Sequence, residues 1–327
     1  MDALSEVLSA IKLEGALFFN GEFSAPWCLS SSGREGIVPF LKPPVRHLVM
    51  FHFLTKGRAQ AWLPEGRREE LQAGDIVILP HGDSHFIGNG AATPIDSFKT
   101  FAGSLADGLK PVSFGGGGEA THFVCGFMAC DPHLSQTILA GLPPLMRVQL
   151  ADEPSGRWIE NSIRFSVGAA GGRNAGSSLV VERLSEVLFV ETLRRYITSL
   201  PPQQTGWLAG ARDPAVGQAL ALLHQNPSHP WTVDDLAHRV GLSRSRLADR
   251  FRHFLGMSPI AYLTEWRLKL GAEKLKTSER SVAEVALDVG YNSEAAFNRA
   301  FKRAYSVPPA QFRQRSRAIP MAALHRS

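Results

Sequence analysis

Residues 232–251, TVDDLAHRVGLSRSRLADRF, recur in altered form as residues 281–301, SVAEVALDVGYNSEAAFNRAF. The apolar positions and the central glycine of the two segments correspond at a spacing of 49 residues, which becomes 50 after the glycine. The extra residue falls in the turn that follows Gly290. A repeat of this kind indicates two copies of one supersecondary unit.

Each copy carries the start and stop signals of two short helices. Thr232 with Asp235, and Ser281 with Glu284, have the spacing of capping boxes, in which a hydroxyl and a carboxylate satisfy free amides at a helix start. A glycine then ends the first helix and a serine caps the second. These residues are Gly241 and Ser243 in the first copy and Gly290 and Ser293 in the second. The pattern predicts two helix-turn-helix units, at about 232–252 and 281–303.

The outward positions of the two second helices are rich in side chains that bind DNA. Arginine and asparagine match the hydrogen-bonding edges of guanine and adenine in the major groove, and further cations suit phosphates. A solvated charged face explains one such helix equally well, but two capped copies favour DNA. The candidates are Arg244, Ser245, Arg246, Asp249 and Arg250 in the first copy and Glu294, Ala295, Asn298, Arg299, Lys302 and Arg303 in the second.

The segment between the copies predicts one amphipathic helix from Ser258 to about Leu275. Its length, roughly 27 Å, approaches the ~34 Å that separates successive major grooves on one side of DNA. We therefore expect two recognition helices in adjacent major grooves.

The C-terminal motifs resemble those of the AraC/XylS regulators. They are Gly241-Leu242-Ser243, Gly256-Met257-Ser258-Pro259, Val289-Gly290-Tyr291 and Val307-Pro308-Pro309. The resemblance implies binding to double-stranded promoter DNA, contact with RNA polymerase and activation of transcription. Asp249 stands where many relatives carry a base-reading cation, which moves the expected base contacts of this helix to Ser245 and Arg246.

Charge divides the chain in the same way. Residues 1–200 have a net charge of −3 and residues 201–327 one of +8. A basic unit joined to a mildly acidic one suggests that only the C-terminal part binds a polyanion. With the proline-rich stretch after Leu200 as a boundary, the predicted domains are 1–200, a linker at 201–212, and 213–327.

Three cysteines in 327 residues are too few for a disulfide framework. The N-terminus is acidic, and no apolar run approaches the roughly 18 residues of a membrane span. We expect a cytoplasmic protein that makes no membrane contact.

The N-terminal part predicts an all-β region, with strands at residues 47–54, 59–63, 75–79 and 121–128. A helix is predicted from Leu179 to Ile197, and it packs either on its own domain or on a second copy in a homodimer. The expected fold class is α+β with two domains, a cupin-like β-barrel followed by helices and then an all-α double helix-turn-helix domain.

The cupin expectation rests on Gly74-x5-Pro80-x-Gly82-x2-His85-x3-Asn89, which resembles the second cupin motif. The first motif is degenerate, because Met50 stands at its glutamate position and neither His47 nor His52 is in register. An oxygenase needs those ligands, so a cupin enzyme with an accessory nucleic-acid-binding domain is the weaker alternative. The region also resembles the cupin-type sensor domains fused to AraC-type readers.

Two kinds of site are candidates in this domain. An unknown small-molecule effector would bind inside the barrel near Phe51, Phe53, Trp62 and Phe86. His52, His85 and Cys125 are the candidate ligands of a zinc or other divalent ion, although no cofactor is required. The run His122-x2-Cys125-x4-Cys130-x2-His133 fits less well, because residues three apart on a strand face opposite sides. A further alternative makes Cys125 or Cys130 a thiol sensor of oxidants or electrophiles.

Overall fold

A computed structural model of the chain describes residues 2–10, 13–38, 47–105, 110–130, 139, 141–150, 154–169, 177–201 and 203–318. These residues form two compact units. The β-rich unit draws on residues 12–132 and 142–199, and the helical unit on 1–11, 133–141 and 200–327.

The β-rich unit has eleven described strands and four described helices. The strands are β1 Leu13–Ser24, β2 Trp27–Ser31, β3 His47–Lys56, β4 Arg58–Trp62, β5 Arg68–Gln72, β6 Asp75–Leu79, β7 His85–Asn89, β8 Ile95–Asp96, β9 Pro111–Gly115, β10 Ala120–Cys130 and β11 Met146–Gln149. The helices are α2 Arg34–Ile37, α3 Ser97–Leu105, α4 Pro154–Ala169 and α5 Ser177–Ser199.

The strands form two sheets, ordered β11-β6-β3-β10-β1-β9 and β5-β4-β7-β2-β8. Apolar residues from both sheets share one core, in which Trp27 stacks on Phe123 with ring centroids 5.2 Å apart. The α+β two-domain class is confirmed. Closure into a barrel is not found: among the described strands no backbone ladder joins an edge of one sheet to the other, so the core lies inside an open sandwich.

Helix α5 packs along the larger sheet, chiefly on β1. An ion-pair cluster fixes this helix, because Glu191 accepts hydrogen bonds from Arg194 and Arg195, and Arg195 also donates to the carbonyl of Gln149 at 2.8 Å. The hydrogen bond from Arg194, joined by that from Arg195, lowers the pKa of Glu191 to about 2. The first of the two predicted packing modes, on its own domain, is thus present.

The helical unit comprises nine described helices. They are α1 Ala3–Ala10, α6 Trp207–Arg212, α7 Pro214–Gln225, α8 Val233–Arg239, α9 Arg244–Leu255, α10 Pro259–Thr277, α11 Val282–Asp288, α12 Glu294–Tyr305 and α13 Pro309–Ala318. None of the helices in the described part of the chain has the length and apolar character needed to cross a membrane.

The predicted domain limits stay predictions, and two features bear on them. Helix α1 groups with the helical unit, although it lies at the start of the predicted domain 1–200. Helix α6 lies within the predicted linker 201–212. It nevertheless packs in the helical unit, since Trp207 is buried and its indole N–H donates to the Tyr262 hydroxyl at 2.8 Å.

Candidate functional site

The first helix-turn-helix unit is built from α8 and α9. Thr232 Oγ1 accepts the amide N–H of Asp235 at 3.1 Å, and the Asp235 carboxylate accepts the amide of Thr232 at 3.1 Å, which completes the predicted capping box. Gly241 follows α8 with a φ of 68°, and Ser243 caps α9. Leu247 and Phe251, both 0% exposed, bury one face of α9 and leave the opposite face in solvent.

The second unit, α11 and α12, repeats this construction. Ser281 and Glu284 form the second capping box, with the Ser281 amide donating to the Glu284 carboxylate at 2.7 Å. Ser293 caps α12. Gly290 has a φ of 90°, and a Cβ there would lie 2.7 Å from the backbone of Ser228, so only glycine fits this turn without strain.

Helix α10 connects the two units as one continuous element of 19 residues, about 28 Å long. Its N-terminal half contributes the buried side chains of Tyr262 and Trp266 to the core of the helical unit. Its C-terminal half contributes Leu268, Ala272 and Leu275 to the core of the second unit. Helix α10 therefore has buried contacts along both halves and joins the two units as one continuous helix.

The predicted DNA-contacting residues lie on α9 and α12, and several of them have partners. Arg244 pairs with Asp234 at 3.2 Å, and Asp249 pairs with Arg252 at 3.1 Å, all at exposed positions. The Asn298 amide donates to Glu294 at 3.4 Å. Arg250 differs, because its guanidinium pairs at 2.7 Å with Asp213, whose side chain is 6% exposed.

Other predicted residues remain available for a ligand. Arg246, Arg299 and Lys302 are exposed and form no ion pair with any other described residue. Ser245, Ala295 and Arg303 are also exposed. Both recognition helices therefore carry exposed cationic side chains that form no ion pair with a described residue.

Asp213 was not identified from the sequence. Its Oδ1 accepts the amides of Ala215 and Val216 and so caps α7, while Oδ2 pairs with Arg250. The local signal for it is Asp213-Pro214, an N-cap residue followed by a proline at the first helical position.

The β-rich unit contains a cavity of about 30 Å³ between its sheets. This space holds about two water-sized molecules. Apolar side chains dominate the lining, and two hydroxyls, two imidazoles and one thiol provide the polar part. The lining residues are Phe19, Leu29, Ser31, Met50, His52, His85, Ile87, Ser97, Phe98, Phe101 and Cys125.

The four predicted effector residues do not line this cavity. Side chains alternate along a strand, so Phe51 and Phe53 face away from the side on which Met50 and His52 reach the cavity. Trp62 and Phe86 stack on each other with centroids 5.5 Å apart, away from the cavity, and Arg68 lies over the Trp62 ring.

His52, His85 and Cys125, the candidate metal ligands, lie next to one another in the lining of this cavity. His52 Nδ1 lies 2.6 Å from Cys125 Sγ, and His52 Nε2 lies 2.7 Å from His85 Nε2. Because His52 directs its two nitrogens to different partners, the three donor atoms do not surround a common point. Within the described ranges no group of three His, Cys, Asp or Glu side chains is placed to hold a metal ion. The side chain of Cys130 and all of His133 lie outside the described residues.

Burial controls the ionisation of this cluster. It lowers the pKa of His52 well below its ordinary value, assisted by the nearby His85, and lowers the pKa of His85 to about 4. It raises the pKa of the Cys125 thiol well above its ordinary value. All three groups are therefore neutral at pH 7.

Two capped helix-turn-helix units with free cations, in a chain that also carries a two-sheet cupin unit, define a DNA-binding transcription regulator. The family model described as a cupin matches residues 2–198, and one described as a helix-turn-helix domain matches residues 236–315. A putative AraC-like transcription regulator of Streptomyces lividans is 32% identical, over 96% of this chain and 98% of the relative. The chain belongs to the AraC-like transcription regulators and carries an N-terminal cupin domain.

Further similarities are to regulators as well. The HTH-type transcriptional regulator AlkR of Acinetobacter baylyi is 29% identical, over 97% of this chain and 100% of its own length. A solved AraC-type regulator structure from Chromobacterium violaceum is 29% identical and covers 33% of this chain and 96% of that chain, with a TM-score of 0.32. The names of the family and of the curated relatives indicate transcription regulators rather than enzymes.

Proposed function

We propose that this regulator reads duplex DNA sequence with α9 and α12 in two successive major grooves. The observation that carries the proposal is the presence of uncommitted exposed cations on both recognition helices, which the 19-residue helix α10 connects. A length of about 28 Å suits neighbouring grooves on one side of the duplex.

The contacts divide by chemistry. Base edges are read by hydrogen-bonding groups of both helices. On α9 these are the hydroxyl of Ser245 and the guanidinium of Arg246, and on α12 the amide of Asn298 and the guanidinium of Arg299. The exposed cations Arg244, Lys302 and Arg303 suit the DNA phosphates and position the protein. Asp249, Glu294 and Ala295 lie on the same exposed faces and suit base edges, a carboxylate for cytosine N4 and a methyl for thymine.

The test uses a duplex selected by the full chain from a randomised pool. We expect Arg246→Ala and Arg299→Ala each to cost about 1–3 kcal/mol in affinity and to relax base preference at separate positions of the duplex. Arg315→Ala, an exposed arginine outside both recognition helices, is the matched control and should leave base preference intact. Unchanged preference in both recognition variants would remove the assignment.

We also propose a homodimer formed by α4 and α5. Six of the eight large hydrophobic side chains exposed among the described residues lie on these two helices: Trp158, Phe165, Leu179, Val180, Val187 and Val190. Trp158 and Phe165, like Val180 and Val187, are seven residues apart, the spacing of helix faces that pack on a second helix. A self-complementary face suits a two-fold dimer.

Sedimentation of the full chain tests the dimer. Phe165→Glu with Val187→Glu should yield a monomer, whereas Leu287→Glu, at an exposed apolar position of the helical unit, should leave the dimer intact. A parent chain that sediments as a monomer at all concentrations would rule out this interface.

The effector is proposed to bind in the cavity beside Met50 and His52, whose lining must move to enlarge the present space of about 30 Å³. Apolar lining with a few polar groups is typical of small-molecule sites. In a thermal-shift screen of small apolar compounds, a hit should lose its effect in Met50→Trp, which fills the cavity, and keep it in Trp62→Ala. The reverse pattern would place the effector at the outer Trp62–Phe86 pair instead.

The remaining parts of the proposal rest on family membership. The protein acts in the cytoplasm on promoter DNA, contacts RNA polymerase and is not an enzyme. A bacterial two-hybrid assay against the RNA polymerase subunits, with the Arg246→Ala chain included to exclude DNA bridging, tests the polymerase contact.

A further inference from the structure

A directed chain of hydrogen bonds ends on Cys125. His85 Nδ1 lies 2.9 Å from the carbonyl oxygen of Asp83, which can only accept, so Nδ1 carries the ring proton. His85 Nε2 must then accept from His52 Nε2–H. His52 Nδ1 is consequently unprotonated and accepts from the Cys125 thiol. One backbone carbonyl therefore sets the tautomer of both histidines and directs a free base at the thiol.

His52 is well placed to remove the thiol proton. Its unprotonated Nδ1 lies 2.6 Å from the sulfur. The Cys125 thiol keeps its proton at rest, in the hydrogen bond to His52. Proton transfer to His52 during an attack by the sulfur provides the nucleophile without a standing buried thiolate.

The size of the cavity limits the reaction partner. Cys125, His52 and His85 all line a space of about 30 Å³, which holds about two water-sized molecules. A two-oxygen molecule such as hydrogen peroxide fits this space, and a larger electrophile requires the lining to move.

We propose that Cys125 is an oxidation site for small hydroperoxides, with His52 as its base and His85 as the residue that positions His52. The sulfur attacks one peroxide oxygen, an S–O bond forms and the O–O bond breaks. His52 takes the thiol proton and returns it to the departing hydroxide, which leaves as water. The thiol sulfur is oxidised to a sulfenic acid and the peroxide is reduced.

Cys28 provides an internal comparison. Its side chain is as little exposed as that of Cys125, at 3% against 4%, but burial raises the pKa of the Cys28 thiol less than that of Cys125. Among the described residues its thiol lies 4.0 Å from the carbonyl oxygen of Leu29, and it does not line the cavity. Burial alone therefore favours ionisation of Cys28, whereas the base and the cavity favour oxidation of Cys125.

The test is sulfenic acid trapping in the full, reduced chain at pH 7. Hydrogen peroxide is added with dimedone, and peptide fragmentation by mass spectrometry gives separate rates for Cys28, Cys125 and Cys130. We expect Cys125 to be labelled at least about 100-fold faster than Cys28, the order of a general-base contribution. His52→Gln should abolish this advantage, and His85→Leu should reduce it by releasing the His52 tautomer.

Thermal melting identifies any variant that does not fold. If His52→Gln does not fold, His85→Leu becomes the deciding variant. Labelling of Cys28 and Cys125 at equal rates would overturn the proposal. So would the absence of Cys125 labelling in the parent, or an unchanged Cys125 rate in a folded His52→Gln chain.

Discussion

The ion pair between Asp213 and Arg250 makes a sharp prediction, because it separates a supporting arginine from a DNA-reading one on the same helix. Arg250 lies four residues after Arg246 on α9. Arg250 reaches Asp213 at 2.7 Å, whereas Arg246 forms no ion pair with a described residue. Arg250→Ala should therefore destabilise the helical unit, and Arg246→Ala should not.

The expected magnitude follows from the burial of the pair. Arg250→Ala leaves the Asp213 carboxylate, 6% exposed, with only the amides of Ala215 and Val216 as partners. A hydrogen bond to a charged group contributes about 1.5–3 kcal/mol. The guanidinium side chain is 46% exposed, and solvent screening places the loss at the lower end, about 1.5–2 kcal/mol.

Native-state hydrogen exchange of peptides from α7 and α9 measures this loss within the helical unit. The expected change is an exchange rate about 10- to 30-fold higher for Arg250→Ala. Asp213→Asn keeps an N-cap residue but removes the charge, so its effect should not add to that of Arg250→Ala. Arg246→Ala, the matched control, should stay within about 0.5 kcal/mol of the parent. Unchanged exchange in Arg250→Ala with a loss of DNA affinity equal to that of Arg246→Ala would refute the reasoning.

Two further predictions concern the turn of the second unit and the buried histidines. Gly290→Ala should destabilise the helical unit by about 1–3 kcal/mol in urea denaturation, because the positive φ and the backbone of Ser228 oppose a Cβ. Gly241→Ala, where a Cβ meets open space, should lower the free energy of unfolding by less. Equal effects would contradict the close approach at Gly290. Burial lowers the pKa of His85 to about 4 and that of His224 to about 3, so the unfolded chain binds more protons below about pH 6.5. The free energy of unfolding should fall as pH drops from about 6.5 to 4, by up to about 1.4 kcal/mol per pH unit for each histidine. The same slope in His85→Gln would contradict the contribution assigned to His85.

Sequence reasoning succeeded where the determining chemistry is local. The capping boxes at Thr232 and Ser281 each need residues only three apart, and both form as predicted. The strand Asp75–Leu79 was likewise evident from its own apolar run. Such signals depend on the backbone within one turn or one strand, which the sequence displays directly.

Long-range geometry was the source of the differences. The aromatic residues Phe51 and Phe53 suggested a binding face, but the register of β3 with its neighbours turns Met50 and His52 to the cavity instead. The partner of Arg250 lies 37 residues earlier in the chain, and no local pattern connects the two. Closure of the sheets likewise depends on pairing between distant edge strands.

Hydroxyl-radical footprinting of the full chain on a selected duplex tests the central proposal most directly. Two protected windows should appear on one face of the DNA, separated by about one helical turn of 10–11 base pairs. Arg246→Ala should weaken one window and Arg299→Ala the other. A single protected window, or two windows that weaken together in both variants, would contradict reading by two separate helices.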